Sequence, residues 1–317
     1  MMAPADTPMS AHPRGPGAGR DPLESLDTRD PDTVVALLDD ASRANHDASC
    51  RAGSIDLIPP AGVLIATGDL HDNPLHFARV LQVARLWESA PEAPRHVALH
   101  EVIHGATPTG LDMSHRALLR VAAVKQRFPE NAHTILANHE LAQIIGAGIV
   151  KDGVRVVDAF NKGVEHVYGD RSAEVLAGIG RFIRSMPIAL VSRSGDGSGV
   201  LCAHSLPSPG MMDRFDPGIL ERDLAEADYE PRRGSAHLMV WGRKQSPGEL
   251  ETLARRWGVS LFLLGHQHAE QGWELLPPCG LVLNSDHARG VVAPIDLADL
   301  PDASGAAARA IPLAAID

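Results

Sequence analysis

The stretch VLIATGDLHDN, residues 63–73, decides the fold class of this chain. Its first five residues, Val63–Thr67, form an apolar run with the length of a buried strand, and polar residues follow after Gly68. Asn73 and Pro74 are typical of a helix N-cap and of a first helical position, and the segment FARVLQVARLW that follows has helical periodicity. The stretch therefore predicts a strand, a polar turn and a helix, the repeating unit of α/β proteins.

The same arrangement recurs further along the chain, where short apolar runs end in polar residues. These runs are HVAL (96–99) before His100-Glu101, TILA (134–137) before Asn138-His139-Glu140, VLCA (200–203) before His204-Ser205, and LFLL (261–264) before Gly265-His266-Gln267-His268. In open α/β sheets the loops that leave the carboxyl ends of the strands open on one crevice, where ligands bind. We therefore expect these polar turns to lie together and to form a site.

Seven residues of these turns offer oxygen or nitrogen ligands to a metal ion. They are Asp69, His71, Glu101, Asn138, His204, His266 and His268. Carboxylate, amide and imidazole groups without cysteine suit Mn, Fe, Zn or Ni better than calcium or structural zinc. Because the set is larger than one ion needs, the sequence predicts two divalent metal ions that share a carboxylate. Paired metals are the usual device for attack on phosphorus, so the predicted chemistry is phosphoester hydrolysis.

The composition argues against several other classes of protein. The chain has 317 residues and a formal net charge of −11, without the basic patch that nucleic-acid binding requires. Cys50, Cys202 and Cys279 form no C-x-x-C pair, which favours a reducing compartment over a disulfide framework. The sequence shows neither the apolar core of a signal peptide nor an apolar run of about 18 residues. We expect a cytoplasmic protein that binds neither nucleic acid nor membrane.

The chain is predicted to divide into a tail, one domain and a C-terminal segment. Residues 1–22 are rich in Pro, Gly and Ala and predict a disordered tail. Residues 30–298 are predicted to form a single domain, which begins with an edge helix over residues 31–44 capped by Asp30. Residues 299–317 are rich in alanine and predict a peripheral segment.

The order of the motifs resembles that of the calcineurin-like metallophosphoesterases. The matching motifs are G-D-L-H (68–71), A-N-H-E (137–140) in place of G-N-H-E, H-S (204–205) and G-H-Q-H (265–268). The resemblance is closest to the bacterial phosphoprotein phosphatase branch, whose YPEN…LL and LPLA stretches are matched by FPEN (128–131) with Ile135-Leu136 and by MPIA (186–189). It extends from about Val63 to Asp296. It implies a four-layer α/β/β/α fold with two mixed β-sheets and a dinuclear metal centre at the carboxyl ends of the strands.

The resemblance also implies roles for single residues. The first metal would be held by Asp69, His71 and His268, and the second by Asn138, His204 and His266. His139 would protonate the leaving oxygen of a phosphomonoester after attack by a hydroxide held between the two metals. Mn²⁺ and Fe are the metals expected first, with Zn and Ni as alternatives.

The second motif departs from the pattern of the family. G-D-x-V-D-R-G is expected there, and this chain has HEVIHG at residues 100–105. The bridging aspartate aligns with Glu101, whose rival at this strand end is His100. The arginine that holds phosphate in the family is absent, and the aspartate that orients the catalytic histidine aligns with His104.

An insertion, ATPTGLDMSHR at residues 106–116, follows this motif and offers replacements for the missing groups. We expect residues 107–116 to fold over the metals, so that Arg116, or else Arg243 in VWGRK, holds the phosphate. Asp112 is then expected to approach His139 and to orient it.

The resemblance implies a metal-dependent phosphomonoesterase that acts on phosphoserine or phosphothreonine in proteins. One alternative is a small-molecule phosphohydrolase for diadenosine polyphosphates or nucleotides, which a deep narrow pocket would favour over an open groove. The other is a metal-binding regulatory module in which the altered second motif has abolished turnover. Hydrolysis of a chromogenic aryl phosphate in the presence of Mn²⁺ separates the enzymes from this module.

Overall fold

The computed structural model describes residues 21–105, 110–151, 153–195 and 197–316. The strands are β1 (Arg51–Ala52), β2 (Ile55–Ile58), β3 (Val63–Thr67), β4 (Arg95–His100), β5 (Ala132–Ile135), β6 (Val150–Lys151), β7 (Val154–Arg155), β8 (Ala189–Arg193), β9 (Gly199–Ala203), β10 (Leu261–Leu264), β11 (Trp273–Leu276), β12 (Gly280–Leu283), β13 (Val291–Asp296) and β14 (Ile311–Pro312). The α-helices are α1 (Pro31–Asp47), α2 (Pro74–Ala84), α3 (His115–Arg127), α4 (Asn138–Ile145), α5 (Val156–Tyr168), α6 (Ser172–Ser185), α7 (Ser235–Val240), α8 (Pro247–Trp257) and α9 (Ala303–Ala308). Short 3₁₀ helices cover Leu86–Glu88, Gly169–Arg171, Pro209–Arg214, Pro217–Glu221, Glu226–Tyr229 and Leu313–Ala315.

Two mixed sheets form the centre of the described part of the molecule. The first has the strand order β14-β13-β3-β4-β5, in which β3, β4 and β5 run parallel and β13 runs antiparallel to β3. The second has the order β1-β2-β8-β9-β10-β12-β11, in which β9, β10 and β12 run parallel. β6 and β7 form a separate hairpin. Every apolar run that the sequence analysis interpreted as a strand therefore contributes to one of the two large sheets.

Alternation along the strands explains why the molecule has four layers. Successive residues of a strand point to opposite faces of its sheet. Ala98 on β4 and Cys202 on β9 belong to an apolar core that lies between the two sheets. Their neighbours Leu99 and Leu201 belong to a second core, which packs the outer faces against helices such as α1, α3 and α6. The architecture is thus α/β/β/α with two mixed sheets, as predicted.

Gly68 allows the two sheets to approach each other at the end of β3. A Cβ atom at this position would lie 1.9 Å from the carbonyl oxygen of Leu283, so any side chain would force the sheets apart. The backbone N–H of Gly68 donates a hydrogen bond to Oγ of Ser285, 2.9 Å away. The turns that follow β3, β4, β9 and β10 consequently meet at one end of the sandwich.

The helices begin at the predicted capping residues, but two helix C-termini differ from the prediction. α1 begins where the Asp30 carboxylate accepts a hydrogen bond from the N–H of Thr33. It continues to Asp47, beyond the predicted residue 44, and buries Leu38 completely, which stabilises the fold by about 1.5–3 kcal/mol. α2 begins after Asn73 but ends at Ala84, because Arg85 takes a left-handed conformation with φ 49°.

The two ends of the chain also differ in their packing. Residues 1–20 of the predicted tail lie outside the described residues, whereas Leu23 is buried in the helical core. Residues 299–316 close one edge of the sandwich: α9 packs Ala303 and Ala306 against the core between the sheets, and β14 pairs with β13. In the ranges that the structure describes, no helix is both long and apolar enough to cross a membrane.

Candidate functional site

The turns after the strands hold their side chains on a strained backbone. His71, Glu101, His104 and His266 have φ angles of 41°, 46°, 60° and 65°. Such angles are uncommon outside glycine, and they cluster at functional sites where surrounding contacts maintain the strain. The N–H groups of Leu70 and His71 both donate to the carbonyl oxygen of Glu101, at 3.0 and 2.9 Å. These bonds tie the turn after β3 to the turn after β4.

Three side chains converge on a single nitrogen atom, Nε2 of His204. This atom lies 2.6 Å from Oδ1 of Asn138 and 3.1 Å from Nδ1 of His266. It also lies 2.7 Å from Oε2 of Glu101. A ring nitrogen offers either one proton or one lone pair, so it cannot make a good hydrogen bond to three neighbours at once. A cation would satisfy all four atoms together, and the residues here therefore fit a metal ion.

The other oxygen of Glu101 faces a second imidazole. Oε1 lies 2.9 Å from Nε2 of His71 and 3.8 Å from Nε2 of His139. Since its two oxygens point at His204 on one side and His71 on the other, the carboxylate lies between two groups of potential ligands. A carboxylate in this position is within reach of ligands on both sides.

Asp69 lies beside His204 and His100. Its Oδ1 accepts a hydrogen bond from the N–H of His266 (2.9 Å) and lies 3.6 Å from Nδ1 of His204. His100 donates from Nε2 to the carbonyl oxygen of Thr67, 2.9 Å away. Among the described residues, Nδ1 of His100 and Nδ1 of His204 are buried without a hydrogen-bond partner. This pocket of acceptors also fits a cation, and it includes His100.

Gly265 makes room for this cluster. A Cβ atom there would lie 2.4 Å from Oδ1 of Asp69 and 2.9 Å from Cε1 of His100. The glycine of the G-H-Q-H motif is therefore required by the close approach of these side chains to the backbone.

Burial and charge shift the pKa values of the carboxyl groups in opposite directions. Burial, with the neighbouring Glu101, raises the pKa of Asp69 to about 6. Burial also acts to raise the pKa of Glu101, but His204 and His71 outweigh it and hold that pKa well below its usual value. Ionisation of both of these adjacent buried carboxyl groups is unfavourable unless positive charge lies nearby. A bound cation would supply that charge.

A chain of hydrogen bonds leads away from His139. Its Nδ1 lies 3.0 Å from Nδ1 of His104, and Nε2 of His104 lies 3.2 Å from Oε1 of Gln143. Nε2 of Gln143 donates to Oδ1 of Asn161 at 2.7 Å. Burial, together with the adjacent His139, lowers the pKa of His104 to about 3, so its ring is neutral.

The two arginines predicted to hold phosphate occupy different surroundings. Arg243 donates from Nε to Nε2 of His266 at 2.9 Å, at the rim of the metal-ligand cluster. Arg116 is exposed in the first turn of α3. The structure thus brings Arg243, and not Arg116, into contact with a candidate ligand.

Two of the solved structures that superpose on this chain are phosphatases. A protein serine/threonine phosphatase from Saccharomyces cerevisiae superposes with a TM-score of 0.60 at 15% identity, over 84% of this chain and 83% of that chain. A cold-active protein-tyrosine phosphatase from a Shewanella species superposes with a TM-score of 0.50 at 13% identity, over 77% of this chain and 78% of that chain. The chain has a phosphoesterase-type fold. The sequence matches no family model and no curated protein.

Asp112 is not where the sequence analysis expected it. Its backbone N–H donates to the carbonyl oxygen of Ala159 on α5, and its Oδ1 accepts from the N–H of Ser114. His104 occupies the position beside Nδ1 of His139 that was expected for Asp112. Residues 106–109, and with them the first part of the predicted covering loop, lie outside the described residues.

His268 is also not brought into the cluster. The side chain is exposed, and its ring packs against that of His287, with 5.5 Å between the centroids. The left-handed turn at His266 aims that ring into the site and carries the following residues outward. Within the described ranges, His268 belongs to none of the groups of side chains that could share a metal ion.

Sequence reasoning missed two polar residues of α4, Glu140 and Gln143. Oε1 of Glu140 accepts from the N–H groups of Val102 and Ile103 at 2.8 and 3.3 Å, which fixes the turn that carries Glu101. Burial, with Glu101 nearby, raises the pKa of Glu140 to about 7. The available signal was position: Glu140 ends the A-N-H-E motif, and Gln143 follows His139 by one helical turn.

Proposed function

We propose that this protein is a metal-dependent phosphomonoesterase. The observation that supports this most strongly is the convergence of Asn138, Glu101 and His266 on one nitrogen of His204, at 2.6, 2.7 and 3.1 Å. Such an arrangement, on a phosphoesterase-type fold, matches the chemistry that a pair of divalent cations supplies: activation of water and neutralisation of charge on phosphoryl oxygens.

The ligands divide into two sets that share Glu101. One ion would be held by Asn138, His204, His266 and Glu101, and the other by Asp69, His71 and Glu101. His100 is a further donor on the Asp69 side, a position for which the sequence analysis had proposed His268. The mixture of oxygen and nitrogen donors suits Mn²⁺ and Fe first, with Zn and Ni as alternatives.

The other groups of the site bind the substrate and move a proton. Arg243 is exposed beside His266 and can hold phosphoryl oxygens with its planar guanidinium group. His139 lies close to Glu101, and we propose that its Nε2 gives a proton to the leaving oxygen. The leaving group needs this proton because an alkoxide is a poor leaving group at neutral pH.

The substrate that we propose is phosphoserine or phosphothreonine in a protein. In support, the proposed phosphate-binding Arg243 is exposed at the rim of the site, where a protein surface can reach it. The three cysteines are free thiols, in keeping with a cytoplasmic protein. The small-molecule alternative, a diadenosine polyphosphate or nucleotide hydrolase, uses the same metal ligands.

Hydrolysis by chelator-treated protein, before and after addition of Mn²⁺, tests this function. The substrates are an aryl phosphate, phosphoserine and phosphothreonine peptides, a nucleotide and a diadenosine polyphosphate. We expect Mn²⁺-dependent release of phosphate, with kcat/KM highest for the peptides. A preference for the nucleotides would replace the substrate class, and protein that binds metal but hydrolyses none of the five would be a binding module.

A further inference from the structure

We propose that His104 is the positioning residue of His139, and that Gln143 and Asn161 fix the tautomer in which it acts. This inference rests on the proposed function for its consequence in catalysis, but the arrangement of protons can be measured independently.

The argument begins at Asn161 on α5, at the far end of the chain of hydrogen bonds. Gln143 gives its Nε2–H to Oδ1 of Asn161, 2.7 Å away. An amide that donates from its nitrogen there presents its oxygen on the other side. Oε1 of Gln143 therefore faces Nε2 of His104, 3.2 Å away, as an acceptor.

The oxygen of Gln143 sets the tautomer of His104. Because Oε1 can only accept, a neutral His104 carries its proton on Nε2 and has a lone pair on Nδ1. That lone pair faces Nδ1 of His139 at 3.0 Å, and a contact between two nitrogens at this distance requires one N–H. His139 must supply it. When His139 takes up a second proton and becomes an imidazolium, that proton lies on Nε2, on the side of Glu101, and it is the one that His139 transfers.

Packing keeps His104 in this position. The side chain is fully buried, and its ring stands edge-on against Phe160, with 5.6 Å between the centroids. His139 and Gln143 are four residues apart on α4 and therefore lie on one face of the helix, with His104 bonded to both. Phe160 and Asn161 both belong to α5. Two helices thus hold the imidazole at both nitrogens and against an aromatic ring.

The direct test is the protonation of the ring nitrogens by ¹⁵N NMR of metal-free protein at a pH where both histidines are neutral. We expect the proton of His104 on Nε2 and the proton of His139 on Nδ1. Gln143→Leu should remove the preference at His104 and give a mixture of tautomers. The opposite tautomer at either ring would overturn the inference, whether or not the protein hydrolyses phosphoesters.

Kinetics then test the consequence for catalysis. His104→Leu has a similar volume but no acceptor, and we expect kcat on an alkyl phosphate to fall about 100-fold with KM unchanged. His104→Asn keeps an oxygen near the place of Nδ1 and should recover activity to within about tenfold of the wild type. If His104 only filled space, His104→Leu would be the more active variant. Either that order or equal losses in the two variants would contradict a positioning role.

Two further comparisons isolate the contact with His139. Because the two side chains act as a unit, His104→Leu should cost nothing further in a protein that already carries His139→Gln. Asn161→Leu removes only the far end of the chain and should lower kcat a few-fold, whereas the exposed neighbour Lys162→Leu should not. Additive losses in the double variant, or equal effects at positions 161 and 162, would refute the coupling. Failure of the proposed function can be distinguished from failure of this inference, because in the first case the wild type itself would be inactive.

Discussion

The imidazole of His139 is held at Nδ1 by another imidazole. His104 at 3.0 Å is a neutral acceptor, whereas Glu101 lies 3.8 Å away on the opposite edge of the ring. A group in this position can deliver a proton toward the metal-ligand cluster without itself being needed to bind metal.

His139→Gln should keep the bound metal and lose the proton donor. We expect a loss of about 10²- to 10⁴-fold in kcat on alkyl phosphates and a smaller loss on aryl phosphates, whose leaving group needs little protonation. The ratio of the two kcat values is the measurement, and the aryl substrate is the internal control. An equal loss on both substrates would exclude His139 as the acid.

The two arginines predicted to hold phosphate can be distinguished by the kinetics of their alanine variants. Arg243 donates to His266 at the rim of the cluster, and Arg116 is an exposed residue of α3. A charged hydrogen bond contributes about 1.5–3 kcal/mol, so Arg243→Ala should lower kcat/KM about 10- to 100-fold. Arg116→Ala is the matched control and should leave both constants unchanged. The reverse pattern would assign the phosphate to the insertion after Gly105.

At the scale of secondary structure, a buried ionic network joins the two sheets at the end away from the site. Asp56 on β2 accepts from Nε of Arg51 at 2.8 Å, and its other oxygen lies 2.7 Å from Nδ1 of His133 on β5. His133 in turn lies 3.0 Å from His96 on β4. Burial opposes the charge of Asp56, but His133 and Arg51 outweigh it and lower its pKa far below the usual value.

Asp56→Ala should therefore destabilise the fold far more than the loss of a surface ion pair. Removal of one partner of a buried pair leaves the other charge uncompensated and typically costs about 3–5 kcal/mol. Asp39 pairs with Arg181 on the surface, and Asp39→Ala should cost less than about 1 kcal/mol. Denaturant unfolding of both variants makes the comparison. Equal losses would show that the network between the sheets adds no stability.

The sequence predicts the elements well where local patterns determine them. Val63–Thr67 is a strand with the predicted ends, and Asp30 and Asn73 cap the predicted helices. The strand predicted at residues 134–137 begins and ends two residues earlier, because Asn138 is already helical and the chain must turn before it.

The side chains of the site were less predictable than the elements that carry them. The convergence of Glu101, Asn138 and His204 follows from strands that end at one edge. The exclusion of His268 does not, because it depends on the left-handed turn at His266. The role of His104 does not either, because its partners come from α4 and α5, which lie far away in sequence.

At the scale of the whole molecule, buried histidines make stability depend on pH. Burial, with the adjacent Arg116, lowers the pKa of His115 to about 4, and burial with His133 lowers that of His96 to about 3. In the unfolded chain both rings titrate near 6.5. Between these values the unfolded state binds more protons than the folded state, so stability falls as the pH falls.

His115→Phe removes one of the two histidines whose protonation differs between the folded and unfolded states. It should cost no hydrogen bond at Nδ1, because among the described residues that atom is buried without a partner. We expect the free energy of unfolding to depend less steeply on pH between about 6 and 4.5, by up to about 1.4 kcal/mol per pH unit. Tyr168→Phe, at a ring that contacts His115, should shift the whole curve without changing its slope. An unchanged slope in His115→Phe would contradict this origin of acid sensitivity.

The central claim is that Glu101 lies between two cations, and the number of manganese ions bound per chain at saturation tests it most directly. The wild type and the exposed control His268→Gln should each bind two. Glu101→Gln keeps the shape of the side chain but removes the shared negative charge, so it should bind one ion or none and lose most of its hydrolytic activity. Two ions and near-normal turnover in Glu101→Gln would contradict the account and would assign the role to His100.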